Sequence, residues 1–399
     1  MLEWAINGIW GYSVGEVLVY LLVVTHITIV SVTVYLHRFS AHRSILLGPA
    51  ISHFFRFWLW LTTGQVTREW TAVHRKHHAE CETSDDPHSP VKQGLPRILW
   101  NGVEVYKSAI SDKETLRRYG KGCPDDWLEN RLYCRNSLGI TFMLVLDLFF
   151  FGVLGITIWA IQMVWIPFFA AGIINGVGHA LGYRNFESPD VSRNILPWGV
   201  LIGGEELHNN HHTYPNSAKL SRKKYEFDIG WLWIELFCLL GLATVVSRGP
   251  VVQRVVAKQK LDTESAWALL NDRFSIMARF AEEVLAPVVE IEYKKADKAG
   301  RKLYKKATKL LTVNEAMLDQ SKKIRIALLL ESNEQIKKIH DLKLDLESIW
   351  LQRGNDATDV LKRLKQWVEN AESVHLSVLD DFVATLKTYS MPNHVGTLA

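Results

Sequence analysis

The sequence predicts an all-α fold: an integral membrane helical bundle with a histidine-rich cap, followed by a soluble helical domain. Three observations predict it. Long apolar runs are confined to the first 250 residues, and histidines recur in spaced clusters at the ends of those runs. From about residue 252 the pattern changes to apolar residues every three or four positions with charges between them, as in Ile336, Ile339, Leu342, Leu346 and Ile349. The expected division is a membrane domain over 1–250 and a cytosolic helical domain over 251–399, with Gly354, Asn355 and Asp356 interrupting the latter before a helical run at 357–388.

Residues 16–36 are almost uncharged and about as long as the 20 or so residues needed to cross roughly 30 Å of hydrocarbon, which predicts a transmembrane helix. No basic stretch with a cleavage signal precedes it, so the run is expected to remain as an anchor. Residues 46–64 are apolar but carry Pro49, His53 and Arg56. Residues 138–178 stay apolar apart from breaks at Gly152 and Gly155, room for a tight two-helix hairpin. Residues 229–247 are short and Trp-rich, as interfacial helices are.

The formal charge of +4 argues against an electrostatically driven nucleic-acid binder. Cys81, Cys123, Cys134 and Cys238 are scattered without a C-x-x-C pair, so neither a disulfide framework nor a thiolate metal site is expected, and the polar part should face a reducing cytoplasm.

Nine of the fifteen histidines form a pattern: His37 and His42 as H-x-x-x-x-H, His74, His77 and His78 as H-x-x-H-H, His208, His211 and His212 as H-x-x-H-H, and His179. Spacings of i, i+3 and i+4 put three imidazoles on one helix face. His37 and His42 lie about 140° apart on an ideal helix, so they should straddle a helix end or approach from different directions. Asn175 and His179 are again i and i+4. Zinc in proteins is nearly always four-coordinate, so one zinc ion leaves half of the cluster unused, whereas two five- or six-coordinate ions use all of it. Imidazole suits iron, copper, nickel and zinc alike, so the ligands do not name the metal.

A common metal site also constrains topology. The clusters must share one side of the membrane, so 46–64 cannot cross once and should lie in the interface or re-enter. The hairpin at 138–178 crosses twice and returns His179 to that side. The basic loop Arg68 to Arg135 is then cytoplasmic and the N-terminus outside, giving three full spans.

The boxes H37-R-F-S-A-H42, H74-R-K-H-H78 and H208-N-N-H-H212, with N175-G-V-G-H179 before the third, resemble those of the membrane fatty-acyl desaturases, in particular the bacterial-type members of the delta-9 acyl-CoA (stearoyl-CoA) branch. E69-W-T-A-V, D85-D-P-H88 and G204-E205 agree, and the likeness runs from about Val24 to Leu242. The resemblance implies two irons held by the nine histidines, a water held by Asn175 on one of them, and O2 and two electrons consumed in removing hydrogens from adjacent methylenes of a C16 or C18 acyl chain. An unactivated C–H bond has no acidic proton, so acid–base groups cannot open it and an oxidising metal is needed, kept dry in a narrow apolar tunnel. Trp70 resembles a tunnel-lining position of the family and also reads as an ordinary interfacial tryptophan. Glu205 reads as a group that orients a ligand, since the Glu-x-x-His it makes with His208 lacks the second copy that a carboxylate-bridged bundle wants.

Two departures from the animal acyl-CoA desaturases stand out. Only one span fits before the first box where they have two, and Ala72 and Val73 replace the Arg-Asp pair that precedes their second box. The carrier therefore stays open among CoA, acyl carrier protein and phospholipid. No His-Pro-Gly-Gly motif is present, so electrons are expected from a separate ferredoxin-like protein, flavin reductase or cytochrome b5. The expected location is a bacterial inner membrane, with the active site and C-terminus cytoplasmic.

His26, His53 and His88 read as hydrogen-bonding, interfacial or outer-sphere groups, and His340, His375 and His394 belong to the soluble part. Asp147 and Gln162 read as helix–helix contacts. Residues 251–399 carry no catalytic motif and read as a scaffold or oligomerisation module. A di-iron hydroxylase or alkane monooxygenase needs no different ligands, and a His-rich metal transporter or sensor is disfavoured because nine ligands would trap an ion.

Overall fold

A computed structural model describes residues 6, 8–9, 11–305, 307–312, 318–351 and 356–392. Two compact units emerge: Met1–Arg184 with Val191–Gly249, and Asn185–Asp190 with Pro250–Ala399.

The first unit is built on α1, Val14–Ala41. Ser13 opens it with a capping box to Glu16. Its early turns show Leu18, Val19, Leu22 and Val23 to the outside, whereas Ser31–Ala41 is almost wholly buried and wound with i→i+5 hydrogen bonds. Helix α2, Pro49–Thr63, starts on a proline at its first turn and stops at Gly64, whose φ of 63° suits glycine. Helix α3, Thr67–Ala79, carries the second histidine box. Helix α4, Leu95–Ser111, crosses the end of α7, Leu154–Val177, so closely that a Cβ on Gly102 would meet Ala171 O at 3.1 Å. Between them in sequence, α5, Lys113–Tyr119, packs on α3, and α6, Asn136–Phe151, pairs with α7 as a hairpin that turns at Gly152 (φ 59°). Asp147 on α6 accepts the Tyr20 hydroxyl of α1 at 2.7 Å.

Three full spans were expected; among the described residues two helices, α1 and α7, are long and apolar enough to cross a bilayer. Gly152 ends α6 at Phe151, leaving 16 residues or about 24 Å, short of a roughly 30 Å hydrocarbon core. The hairpin still presents an apolar exterior through Phe142, Val145, Phe149, Ile156, Ile161 and Val164, the composition of a lipid-facing rather than a watered surface.

Helix α8, His208–Thr213, is buried throughout, and α9, Ile229–Leu239, is capped by Asp228. Antiparallel β1 (Ile45–Leu47) and β4 (Ala243–Val245) pair Ile45 with Val245, so the chain after α9 folds back as a strand rather than extending the helix to 247. Parallel β2 (Trp198–Gly199) and β3 (Phe227–Asp228) fix the loop before α8. The core gathers Val34, Tyr35, Leu36, Phe55, Leu59, Trp231 and Ile234 beneath the histidines.

Among its described residues the second unit is mainly helical, with one strand pairing, β5 (Gln253–Arg254) with β6 (Tyr389–Ser390). Ile336, Ile339, Leu342, Leu346 and Ile349 all line the buried side of α10, Glu334–Leu351. Asp356 caps α11, Ala357–Glu372, and Trp367 donates its indole N–H to Leu342 O at 2.8 Å. Gly354, Asn355 and His394 lie outside the described residues.

Candidate metal centre

All nine patterned histidines meet within the first unit. Ordinary α-helical winding suffices for α3, whose i, i+3, i+4 spacing turns His74, His77 and His78 inward. It does not suffice for His37 and His42. The wide winding of Ser31–Ala41 adds about one residue per turn, so positions five apart come to the same face, and His42 N–H closes the last wide turn onto His37 O at 3.0 Å. The pair straddles the helix end, with His42 capping Ser31–Ala41, and the two rings lie 4.7 Å apart. The end of α7 is wound in the same manner, and Gly178 lets His208 pass: a Cβ there would sit 2.9 Å from the His208 ring.

The ring tips form two sets. His37 Nε2 is 3.0 Å from His211 Nε2, His78 Nε2 is 2.8 Å from the same His211 atom, and His42 Nε2 is 2.8 Å from His74 Nε2. In the second set, His77 Nε2 is 3.3 Å from His212 Nε2, and His208 Nε2 is 3.0 Å from His179 Nε2. His37, His42, His74 and His211 offer ligand atoms within 4.8 Å of one another, as do His77, Cys81, His179 and His212. Cys81 is therefore close to the second set, although no thiolate was expected near the histidines. Among the described residues, every group of three or more side chains with this property lies in the first unit.

Such an arrangement fits metal ions on its own chemistry. A neutral imidazole carries one N–H and one lone pair, so His211 Nε2 cannot serve both His37 and His78 by hydrogen bonding. A cation between the tips accepts every lone pair at once, and ligand atoms roughly 3 Å apart are what one ion needs. Burial, the largest cause, together with the crowding of histidines that cannot all carry charge, holds His42, His74, His78 and His211 well below the usual histidine range, so these rings are neutral ligands at pH 7.

The outer nitrogens are also placed. His77 donates Nδ1–H to Asp86 at 2.9 Å, His179 donates to Glu82 at 3.2 Å, and Glu205 Oε1 lies 2.8 Å from His37 Nδ1. Carboxylates behind ligating imidazoles fix ring orientation and raise basicity. Burial pushes the Glu205 carboxyl up to about 7, against the pull of Arg38. Arg38, fully buried beside His37, donates Nη2–H to both oxygens of Asp228 at 2.9 and 3.0 Å and Nε–H to Ala218 O at 2.8 Å, tying α1 to α9.

A cavity of about 250 Å³ opens onto the rings. His37, His74 and His208 line it with Asn175 and Glu205, and Val105, Ile110, Ile166, Ala170 and Ile174 give it an apolar wall. Trp70 lines it too and stacks on His74, centroids 4.8 Å apart and planes 13° apart. His88 joins this wall with its ring 4.2 Å from that of His77. His26 lies outside the cluster and accepts the Trp233 indole N–H at 2.9 Å.

Sequence reasoning missed Asp86, Glu82, Arg38, Asp228 and Cys81. Asp86 stood within the D85-D-P-H88 motif without a role; a carboxylate a few residues past H-x-x-H-H was the available signal. Arg38 and Asp228 gave none, being 190 residues apart.

Comparison with known proteins agrees with this geometry. Residues 16–225, just over half of the chain, match the family model described as Fatty acid desaturase, and residues 265–392 match one described as Transposase. An sn-1 stearoyl-lipid 9-desaturase of Synechocystis sp. is 32% identical over 225 residues, covering 55% of this chain and 68% of the relative. Delta-9 acyl-lipid desaturase 2 of Arabidopsis thaliana is 29% identical, covering 56% and 72%, and an acyl-CoA 5-desaturase of Anemone leveillei is 31% identical, covering 53% and 65%. A cluster of nine histidines, three of which line a cavity with an apolar wall, and the match over more than half of its length, place this chain in the fatty acid desaturase family, as an oxidoreductase.

Proposed function

We propose that the protein is an O2-dependent, two-iron desaturase that introduces a cis double bond at the delta-9 position of saturated C16 or C18 chains carried on a membrane lipid. One observation carries this reading: two sets of imidazole tips, of which His37, His74 and His208 line a cavity with an apolar wall. The lipid carrier is supported by the acyl-lipid names of the Synechocystis and Arabidopsis relatives.

His37, His42, His74, His78 and His211 would hold one iron and His77, His179, His208 and His212 the other. When bound, the irons supply the oxidising power: the acyl chain loses one hydrogen from each of two adjacent carbons, and O2 with two electrons and two protons becomes two waters. The residues of the chain do the rest. Asp86 and Glu82 keep Nδ1 protonated on His77 and His179, which leaves Nε2 free to face inward. The apolar wall excludes water and aligns a methylene segment, and Trp70 fixes the His74 ring from the cavity side. Asn175, in the wall beside His208, would hold a water through its amide. Electrons come from a separate ferredoxin-like, flavin or cytochrome b5 donor. The basic loop Arg68 to Arg135 supports, by charge bias, a site on the cytoplasmic side of a bacterial inner membrane, in a membrane helical bundle whose histidine-rich cap holds the metals, with the second unit as a scaffold.

The test is expression of the chain, with and without His77→Ala, in cells of known lipid profile, followed by gas chromatography of fatty acids by lipid class. New cis-monoenoic chains on glycerolipids, absent from the variant, are expected. Oxygenated chains would point to a hydroxylase, products on acyl-CoA alone would move the carrier, and no lipid change despite bound metal would sink the enzyme reading.

A further inference from the structure

Positive charge gathers on one surface of the second unit. Within 294–305, Lys294, Lys295, Lys298, Arg301, Lys302 and Lys305 are all exposed, and Asp297 is the one acid among them. Arg325, on the helix Gln320–Ser332, donates Nη2–H to Lys302 O at 3.0 Å and to Leu303 O at 3.2 Å. That clasp binds the helix to the end of the short helix Lys298–Tyr304 and brings the exposed Lys322 and Lys323 beside the first group. Lys294, Lys295 and Lys322 pair with Glu290, Glu292 and Asp319 at 3.2, 2.8 and 2.7 Å, whereas among the described residues Lys298, Lys302, Lys305 and Lys323 form no ion pair. Apolar side chains stand in the open at the same place. Ile324 and Leu328, one turn apart on Gln320–Ser332, are each 53% exposed; that helix's single acid, Glu331, is exposed as well.

The two kinds of residue together select the partner. A nucleic-acid backbone would engage the lysines and leave Ile324 and Leu328 in water. An anionic bilayer uses both: headgroup phosphates meet the ammonium groups, the apolar side chains enter the interface, and the lysine stems cross the boundary between them. We propose that this face of the second unit docks on an anionic lipid surface, with Ile324 and Leu328 entering the interface. The inference rests on the membrane reading above. A chain held in a bilayer by α1 and α7 tethers its second unit to lipid, so a modest attraction suffices at that effective concentration. The attraction is screened over about 10 Å at 0.1 M salt, so added salt releases the face.

The experiment places the full chain in nanodiscs of phosphatidylcholine, alone or mixed with phosphatidylglycerol, and treats them with an uncharged amine-acylating reagent. Mass spectrometry reads the rate at each lysine. Lys298, Lys302, Lys305 and Lys323 should react about fivefold more slowly in the anionic discs, while Lys362 and Lys365, exposed on α11, keep their rates. Salt at about 0.5 M should restore most of the reactivity. The double variant Ile324→Ser, Leu328→Ser should lose most of the protection with unchanged circular dichroism, and Lys302→Gln with Lys305→Gln should lose it at Lys298 and Lys323. Equal rates in the two lipids overturn the proposal, as does full protection in the serine variant. Protection that appears in phosphatidylcholine alone and grows with the number of chains per disc overturns it by making the face a contact between copies. Protection by an added DNA duplex and not by phosphatidylglycerol overturns it in favour of nucleic acid. A chain that stays in solution without detergent and never enters a disc would defeat the membrane reading first, and this one with it.

Discussion

Asp86 accepts the Nδ1 hydrogen of His77 at 2.9 Å, and the same oxygen takes the backbone N–H of His88 at 3.0 Å. Burial alone would raise the pKa of this carboxyl, but the His77 ring and the backbone donors more than reverse it, so it stays ionised. Asp86→Asn should keep the shape of the turn and lose the charge. Iron retained after a chelator challenge should fall by about ten- to a hundredfold in affinity, with Asp85→Asn, on an exposed neighbour, as the unaffected control. Metal analysis of the purified variants checks it.

Neutral rings make a second prediction. Because burial keeps His42, His74, His78 and His211 well below the ordinary range, their protons are already gone at pH 7. Metal uptake should release less than about one proton from these four together, and affinity should be nearly flat from about pH 6.5 to 8. Calorimetry in buffers of different ionisation heat reads the proton count directly.

Cavity shape sets chain preference. Ala170 lines the apolar wall, and Ala170→Leu would take up space that a methylene segment uses. Displacing two methylenes costs roughly 1.6 kcal/mol, or about fifteenfold, against the longer chain. The ratio of C18 to C16 monoenes should drop accordingly in the same host, while total metal stays unchanged.

Arg56 on α2 is buried and donates to Asp126 at 2.6 Å and to Glu129 at 2.9 Å. The hydrogen bonds from Arg56 hold the Asp126 carboxyl down to about 2. With a folded pKa below the unfolded value of roughly 3.9, this group adds stability that is fully present above about pH 4 and is lost as pH falls through 2. Asp126→Asn should unfold at lower temperature near neutrality, and its melting temperature should change less than wild type between pH 4 and 2. Scanning calorimetry in detergent gives both curves.

What was legible in the sequence follows from what is local. The H-x-x-H-H box on α3 needs nothing but ordinary helical periodicity, and it could be placed on one face from its spacing. His37 and His42 were legible only in part: their spacing allowed a pair straddling a helix end, and His42 does cap Ser31–Ala41, but the wide winding of that segment, which brings the two rings together, has no signal in its residues. The hairpin break at Gly152 was legible as a glycine within an apolar run, whereas the length of each arm was not: α6 ends at 16 residues and α7 continues to Val177. The carboxylates behind the rings were hidden for a different reason. Asp85 and Asp86 are neighbours of the same type, and only folding turns one toward His77 and leaves the other exposed.

Helix α1 belongs to two worlds at once. Its outward leucines and valines near the start and the buried His37 near the end are parts of one rod of 28 residues, with His42 directly after it, and the rod is long and apolar enough to cross a bilayer. The rod therefore works as a depth gauge: whatever slides it along the bilayer normal, by thinning or thickening the lipid, carries His37 and His42 by the same distance relative to the carbons passing them.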